Sequence, residues 1–134
     1  MTGYKAYQGY QVDGSSPLGL VLLSYEALYK SLGRVRRAIQ AGDLAAEADH
    51  TGRAMEAIIE LASSLDMEKG GEVATSLASL YTYMMKQLGT GMCSCSTEAV
   101  DEVIRLVQML REGWQQLDRQ QQNAVVSEPV SVAA

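Results

Sequence analysis

The chain has 134 residues and a mass of 14.5 kDa, 47% of it hydrophobic, with a formal charge of −5 and a pI near 4.8. That is one domain's worth of sequence, able to bury roughly 68–70% of its unfolded surface, and its acidic balance argues against a general nucleic-acid surface. No apolar run reaches the ~18 residues of a membrane span and the opening MTGYKAYQGYQV lacks an apolar signal core, so a cytoplasmic domain without membrane insertion is expected.

Residues 1–15 come first as a separate segment carrying Tyr4, Tyr7, Tyr10 and Val12, too short to be a domain. Ser16 and Pro17 then supply a cap and a first helical residue, opening a helix that runs to about Ala41. Gly42 provides a left-handed stop and Asp43 the next N-cap. The second helix, 44–65, places Leu44, Ala48, Met55, Ile58, Ile59, Ala62 and Leu65 at helical spacing. A break at 66–71 leads to a third helix from about Glu72 to Leu88, striped by Val73, Leu77, Leu80, Tyr81, Met84 and Leu88. The loop 89–95 follows, with Ser96 or Thr97 capping a fourth helix on which Val100, Val103, Ile104, Val107, Leu110, Trp114 and Leu117 share a side. From about residue 121 the Gln-rich and small-residue composition reads as a disordered tail, 121–134. No segment alternates as a strand would. The chain is therefore expected to be all-α, an antiparallel up-down-up-down four-helix bundle over 16–120 with an N-terminal cap segment, its helices about 27–38 Å long at ~1.5 Å per residue.

The first helix has more apolar surface than such a core requires. Val21, Tyr25, Leu28, Leu32, Val35 and Ile39 span only about 80° of its wheel and form the inward stripe. Leu18, Leu22 and Tyr29 widen one flank, while Leu20, Leu23 and Ala27 lie on the other flank and the back. Either residues 1–15 cover this surplus or a partner does. The two are compatible, because a tethered lid competes at an effective concentration of only about millimolar. On the third helix Tyr83 lies off the stripe and Met85 widens the apolar face, marking a second contact patch, although Met84 and Met85 also suit a core.

The catalytic inventory is thin. Glu47 and His50 have the Glu-x-x-His spacing of di-iron bundles, but one histidine cannot complete that site. A phosphotransfer histidine at position 50 would need exposure and lacks the Leu-Lys-Gly that such domains place after it, so a solvated ring beside Asp49 is the plainer expectation. Cys93 and Cys95 are two thiols in a flexible loop, short of the ligands for a closed metal site. Gly70 and Gly71 lie between Glu68 and Glu72, which disfavours phosphate and suits a helix-to-helix turn. No nucleophile–base pair is visible, so no enzyme, metal or cofactor is expected.

Three stretches resemble the flagellin-specific export chaperones, the FliS family: Tyr7-x-x-Tyr10-x-Val12 with Ser16-Pro17-x-x-Leu20-Val21-Leu22 and Tyr25-Glu26-Ala27; the run Ser64 to Ala74 continuing through Leu77, Leu80, Tyr81, Tyr83 and Met84; and Trp114. The similarity spans residue 4 to about 119, and Leu-Asp-Met-Glu-Lys-Gly-Gly-Glu is its most specific part. Gly19, Ser24 and Tyr29 depart from the family pattern. The resemblance implies a cytoplasmic bundle that captures the disordered C-terminal segment of flagellin, prevents premature polymerisation and delivers it to the export gate of the flagellar type III apparatus. It also implies that the N-terminal segment covers an apolar surface when the client is absent. On this reading Tyr7, Tyr10 and Val12 form the movable lid, Leu20, Leu23 and Ala27 lie under or beside it, and Tyr83 and Met85 form the second patch. Two alternatives stay open: a histidine phosphotransfer bundle, and a self-associating bundle that forms a homodimer without client.

Overall fold

The computed structural model of the chain describes residue 6 and residues 17–92 and 94–133, with backbone alone for residue 17 and residues 124–133. Tyr7, Tyr10 and Val12 lie outside the described residues, as do Ser16 and Cys93. The described residues form four helices and no strand: α1 (Pro17–Ala41), α2 (Leu44–Ser63), α3 (Met67–Gly91) and α4 (Glu98–Ala133).

Local chemistry sets the corners. At the end of α1 Gly42 takes φ +69°, its N–H bonds Ile39 O at 3.1 Å, and the Asp43 N–H reaches back to Ala38 O at 2.9 Å. These bonds satisfy carbonyls the helix end would otherwise orphan. One Asp43 carboxylate oxygen then accepts from the Ala46 N–H at 3.0 Å, capping α2. Asp66 does the same for α3, accepting from the Lys69 N–H at 2.9 Å. Five residues on from Asp66, Gly71 adopts φ +52°, ψ −129°, a kink inside α3 that an L side chain rarely enters. A break is expected over 66–71, but the Asp66 cap already starts the helix at Met67, so the interruption shrinks to the kink at Gly71, beyond which α3 continues to Gly91. Ser96 caps α4 by accepting from the Glu98 N–H at 3.2 Å.

Two ion pairs give the direction of the outer helices. Glu26 meets Arg111 at 2.6 Å and Arg36 meets Asp101 at 2.7 Å, so as the α1 number rises by ten the α4 number falls by ten. α1 packs on α2 and α4, and α3 packs on the same two, which makes the arrangement an antiparallel bundle with α1 and α3 on opposite corners. The core takes Val21, Tyr25, Leu28, Leu32 and Val35 from α1, Leu77, Tyr81, Met84 and Leu88 from α3, and Val100, Val103, Val107 and Trp114 from α4.

α2 departs from its sequence reading. Its buried line is Glu47, Thr51, Ala54, Ile58 and Leu61, while Leu44, Ala48 and Ile59 face solvent. Hydropathy assigned Glu47 and Thr51 outward, which rotated the expected stripe away from the true one. Both line a cavity of about 10 Å³ with Val35, Ile39, Leu88 and Val100, room for about one water. α4 also differs, since its backbone stays helical to Ala133 where a disordered tail is expected from 121. Extending an existing helix adds a hydrogen bond per residue without a new nucleus, and Gln and Ala are adequate helix formers.

Candidate partner-binding surfaces

The centre of the bundle is already filled and hydrogen-bonded. The Tyr25 and Tyr81 hydroxyls share a buried hydrogen bond, and the Trp114 ring packs 6.3 Å from that of Tyr25. Burial pushes the Tyr25 phenol up to about 12, against the lowering effect of its polar neighbours Tyr81 and Trp114. Together they tie α1, α3 and α4 at one level. Nearby, Tyr29 lies 4.7 Å beneath the Arg111 guanidinium, so this residue, larger than the family pattern, supports the Glu26–Arg111 pair.

The apolar side chains left outside occupy several faces. On α1 Leu23 is 64% exposed and Ala27 is exposed, while Leu20 is half-buried. Leu18 is fully buried, and Leu22 and Tyr29 pack half-buried against the core, as the widened flank predicts. The Leu20, Leu23 and Ala27 face is the back of α1, since Glu26 and Tyr29 face α4.

Tyr83 and Met85 do not form one patch. Tyr83 is 43% exposed and its hydroxyl donates to the Glu102 carboxylate of α4, a bond that raises the phenol's pKa. Met85 is half-buried against the core on the other side of α3. One turn further along that side, a Cβ on Gly89 would lie 3.9 Å from Met55 Cε of α2. Two residues apart on a helix point some 200° apart, which is why a pair adjacent in sequence lands on opposite grooves.

Each groove carries exposed apolar residues that the sequence reading missed. Met109, 69% exposed, lies two turns from Glu102 on α4, in line with Tyr83. Ile59 is exposed one turn from Met55 on α2. Ile59 stands on the stripe expected for α2, and only the true orientation of that helix shows it to be outside; Met109 lies off the stripe expected for α4 and is not singled out by it.

One residue of the N-terminal segment is placed. Ala6 is fully buried, and its carbonyl accepts from the Asp66 N–H at 2.6 Å. It rests against Gly70 and Ala74 at the α2–α3 turn, at the bundle end where α1 begins. His50 is half-buried with Nδ1 enclosed, and Asp49 pairs with Arg53 at 3.2 Å instead, so the expected solvated ring beside Asp49 is not what forms. Cys95 is exposed with φ +58°. No helix among the described residues is long and apolar enough to cross a membrane.

By class the fold is an all-α antiparallel four-helix bundle with a filled core and apolar side chains exposed on several outer faces. Comparison with known proteins narrows the class. The family described as "Flagellar protein FliS" matches residues 1–121. The flagellar secretion chaperone FliS of Salmonella typhimurium is 32% identical over 121 residues, covering 87% of this chain and 90% of that protein. Its counterpart from Campylobacter jejuni is 32% identical over 114 residues, 85% and 89% of the two chains. That of Vibrio cholerae is 27% identical over 118 residues, 88% and 87%. The chain belongs to the FliS family of flagellar secretion chaperones.

Proposed function

We propose that this protein is a cytoplasmic, non-enzymatic chaperone that binds the disordered C-terminal segment of flagellin, prevents its premature polymerisation and delivers it to the flagellar type III export apparatus. The observation that carries this reading is the distribution of exposed apolar residues around a bundle whose interior is complete. Leu23 and Ala27 on α1, Ile59 on α2, and Tyr83 with Met109 between α3 and α4 face different directions. A folded partner docks on one face; a chain that reaches several of these sites has to wrap, and a disordered segment does so while folding on contact. Ordering it costs roughly 2–5 kcal/mol, offset by apolar area removed from water at about 25 cal/mol per Å².

The N-terminal segment acts in this reading as a cover that the client displaces. Ala6 sits at the α2–α3 turn, the end of the bundle at which Pro17 opens α1. Tyr7, Tyr10 and Val12 fall between these two residues in the sequence, with Leu20, Leu23 and Ala27 beside that segment and Tyr83 and Met85 as later contacts of the wrapped chain. The same exposed faces would pair two copies when no client is present. Co-expression with the cognate flagellin followed by light scattering on the purified material tests the reading. A one-to-one complex with the client, in place of a homodimer, is expected; a chaperone that elutes alone at every expression ratio rejects it.

A further inference from the structure

The outward faces of α1 and α2 lie side by side and carry opposite charge. On α1, Leu23, Ala27, Lys30, Arg34 and Arg37 are all exposed and follow one another at alternating steps of four and three residues, which makes one straight ridge. Its first half is apolar and its second half cationic. Glu26, the one acidic residue of α1, faces α4 and is taken by Arg111. Lys30, Arg34 and Arg37 therefore have no ion-pair partner among the described residues. On α2 the exposed carboxylates of Asp49, Glu56 and Glu60 form an acidic ridge, interrupted by Arg53, which pairs with Asp49. In the middle of that ridge Gly52, with Ala48, Asp49, Arg53 and Glu56, lines an open recess of about 450 Å³.

The two ridges also match in height. α1 and α2 run antiparallel through the turn at Gly42 and Asp43, and Val35 with Thr51 and Ile39 with Glu47 line the same small cavity. On that scale Lys30 stands level with Glu56, Arg34 with Gly52, Arg37 with Asp49, and Ala27 with Ile59. A two-fold axis parallel to the helices exchanges the positions of α1 and α2 and leaves every height unchanged. We propose that this face binds a second copy of the chain about such an axis, the α1 ridge of each copy lying on α2 of the other. Lys30 then meets the partner's Glu56, Arg37 meets the partner's Asp49, Arg34 enters the recess over the partner's Gly52, and Ala27 rests on the partner's Ile59. The alternative two-fold, perpendicular to the helices, sets α1 on α1 and brings its cations against each other or against Leu23 and Ala27. Charge thus selects the first arrangement over the second. The inference rests on the client-free homodimer of the function proposed above and names its face. Leu23, Ala27 and Ile59 serve the client in that function, so client and second copy exclude each other.

Sedimentation velocity of the full-length chain without client, over a concentration series at low and high salt, tests the pairing, with circular dichroism checking the fold of each variant. The wild type should form a dimer that weakens as salt rises. Lys30→Glu and Glu56→Lys should each weaken it by roughly tenfold or more, since a two-fold interface contains every reversal twice. An equal mixture of the two variants should remain weak at one of its two contacts, whereas both reversals in one chain should restore the homodimer. Gly52→Leu, which fills the recess, should weaken it as well. A wild-type chain that stays monomeric, a dimer indifferent to salt and to both reversals, or a double variant no tighter than the single ones would overturn the proposal and leave the chaperone function standing. A cognate flagellin peptide that binds none of these proteins in a parallel titration would strike the function while the dimer stood. Should one reversal not fold, the other and the salt series still decide.

Discussion

The buried tyrosine pair makes stability depend on pH in a way that can be calculated. Burial raises the Tyr25 phenol from 10.0 to about 12, so the folded protein holds that proton more tightly than the unfolded chain does. The contribution is complete below the unfolded value and disappears as pH rises through the folded one, that is, between pH 10 and about 12. A difference of about two pH units corresponds to roughly 3 kcal/mol. Tyr25→Phe removes both this dependence and a buried hydrogen bond whose net value is about 0.5–1.5 kcal/mol. At neutral pH the variant should therefore be the less stable protein. Its stability should fall less steeply in alkali, so the gap between the two proteins should narrow as pH rises from about 10 towards about 12. Urea unfolding followed by far-ultraviolet circular dichroism at a series of alkaline pH values measures the gap directly. A gap that stays constant with pH would refute the assignment of the raised pKa to Tyr25 in the closed core.

Other parts of the account are open to equally direct checks. Gly71→Ala should lower unfolding free energy by about 1–3 kcal/mol because φ +52°, ψ −129° suits only glycine, whereas Gly113→Ala, with nothing within 4 Å of the added methyl, should raise it by about 0.5–1 kcal/mol; urea titration reads both. Leu23→Ser and Met109→Ser should each change stability by less than about 0.5 kcal/mol. In calorimetry the same variants should weaken the flagellin peptide by roughly fivefold, the loss of about 1 kcal/mol of apolar contact. Arg111→Ala loses a half-exposed ion pair with Glu26 and the stack on Tyr29, so it should destabilise by about 0.5–1.5 kcal/mol, and part of that difference should vanish at high salt.

The fold was legible in the sequence wherever the determinant is local. Gly42 and Asp43 end one helix and start the next through bonds within a few residues, whereas the break expected over 66–71 contracts to a kink at Gly71, because Asp66 caps a turn that starts at Met67. The stripes of α1, α3 and α4 follow from spacing alone, since nearly every inward position on them is apolar. α2 was misread because Glu47 and Thr51 hold inward positions while Leu44 and Ile59 face out, an inversion that only the neighbouring helices explain. The surplus on the back of α1 was visible as Leu23 and Ala27. Tyr83 and Met85 read along the wheel as one contact patch, and their separation onto two grooves depends on where α2 and α4 sit. The seat of Ala6 was not legible at all. It joins residues 6, 66, 70 and 74 through a close backbone approach, and no pattern along the chain announces which distant residue a glycine makes room for.

The central claim is that these outer apolar faces hold a foreign segment that has no structure of its own. An isotope-labelled flagellin C-terminal segment, followed by NMR with and without the unlabelled chaperone, tests it most directly. Free, its amide resonances should be narrowly dispersed; at one equivalent of chaperone they should spread, as helical pieces form, and change no further with excess. A spectrum that stays collapsed at saturating chaperone would contradict the account.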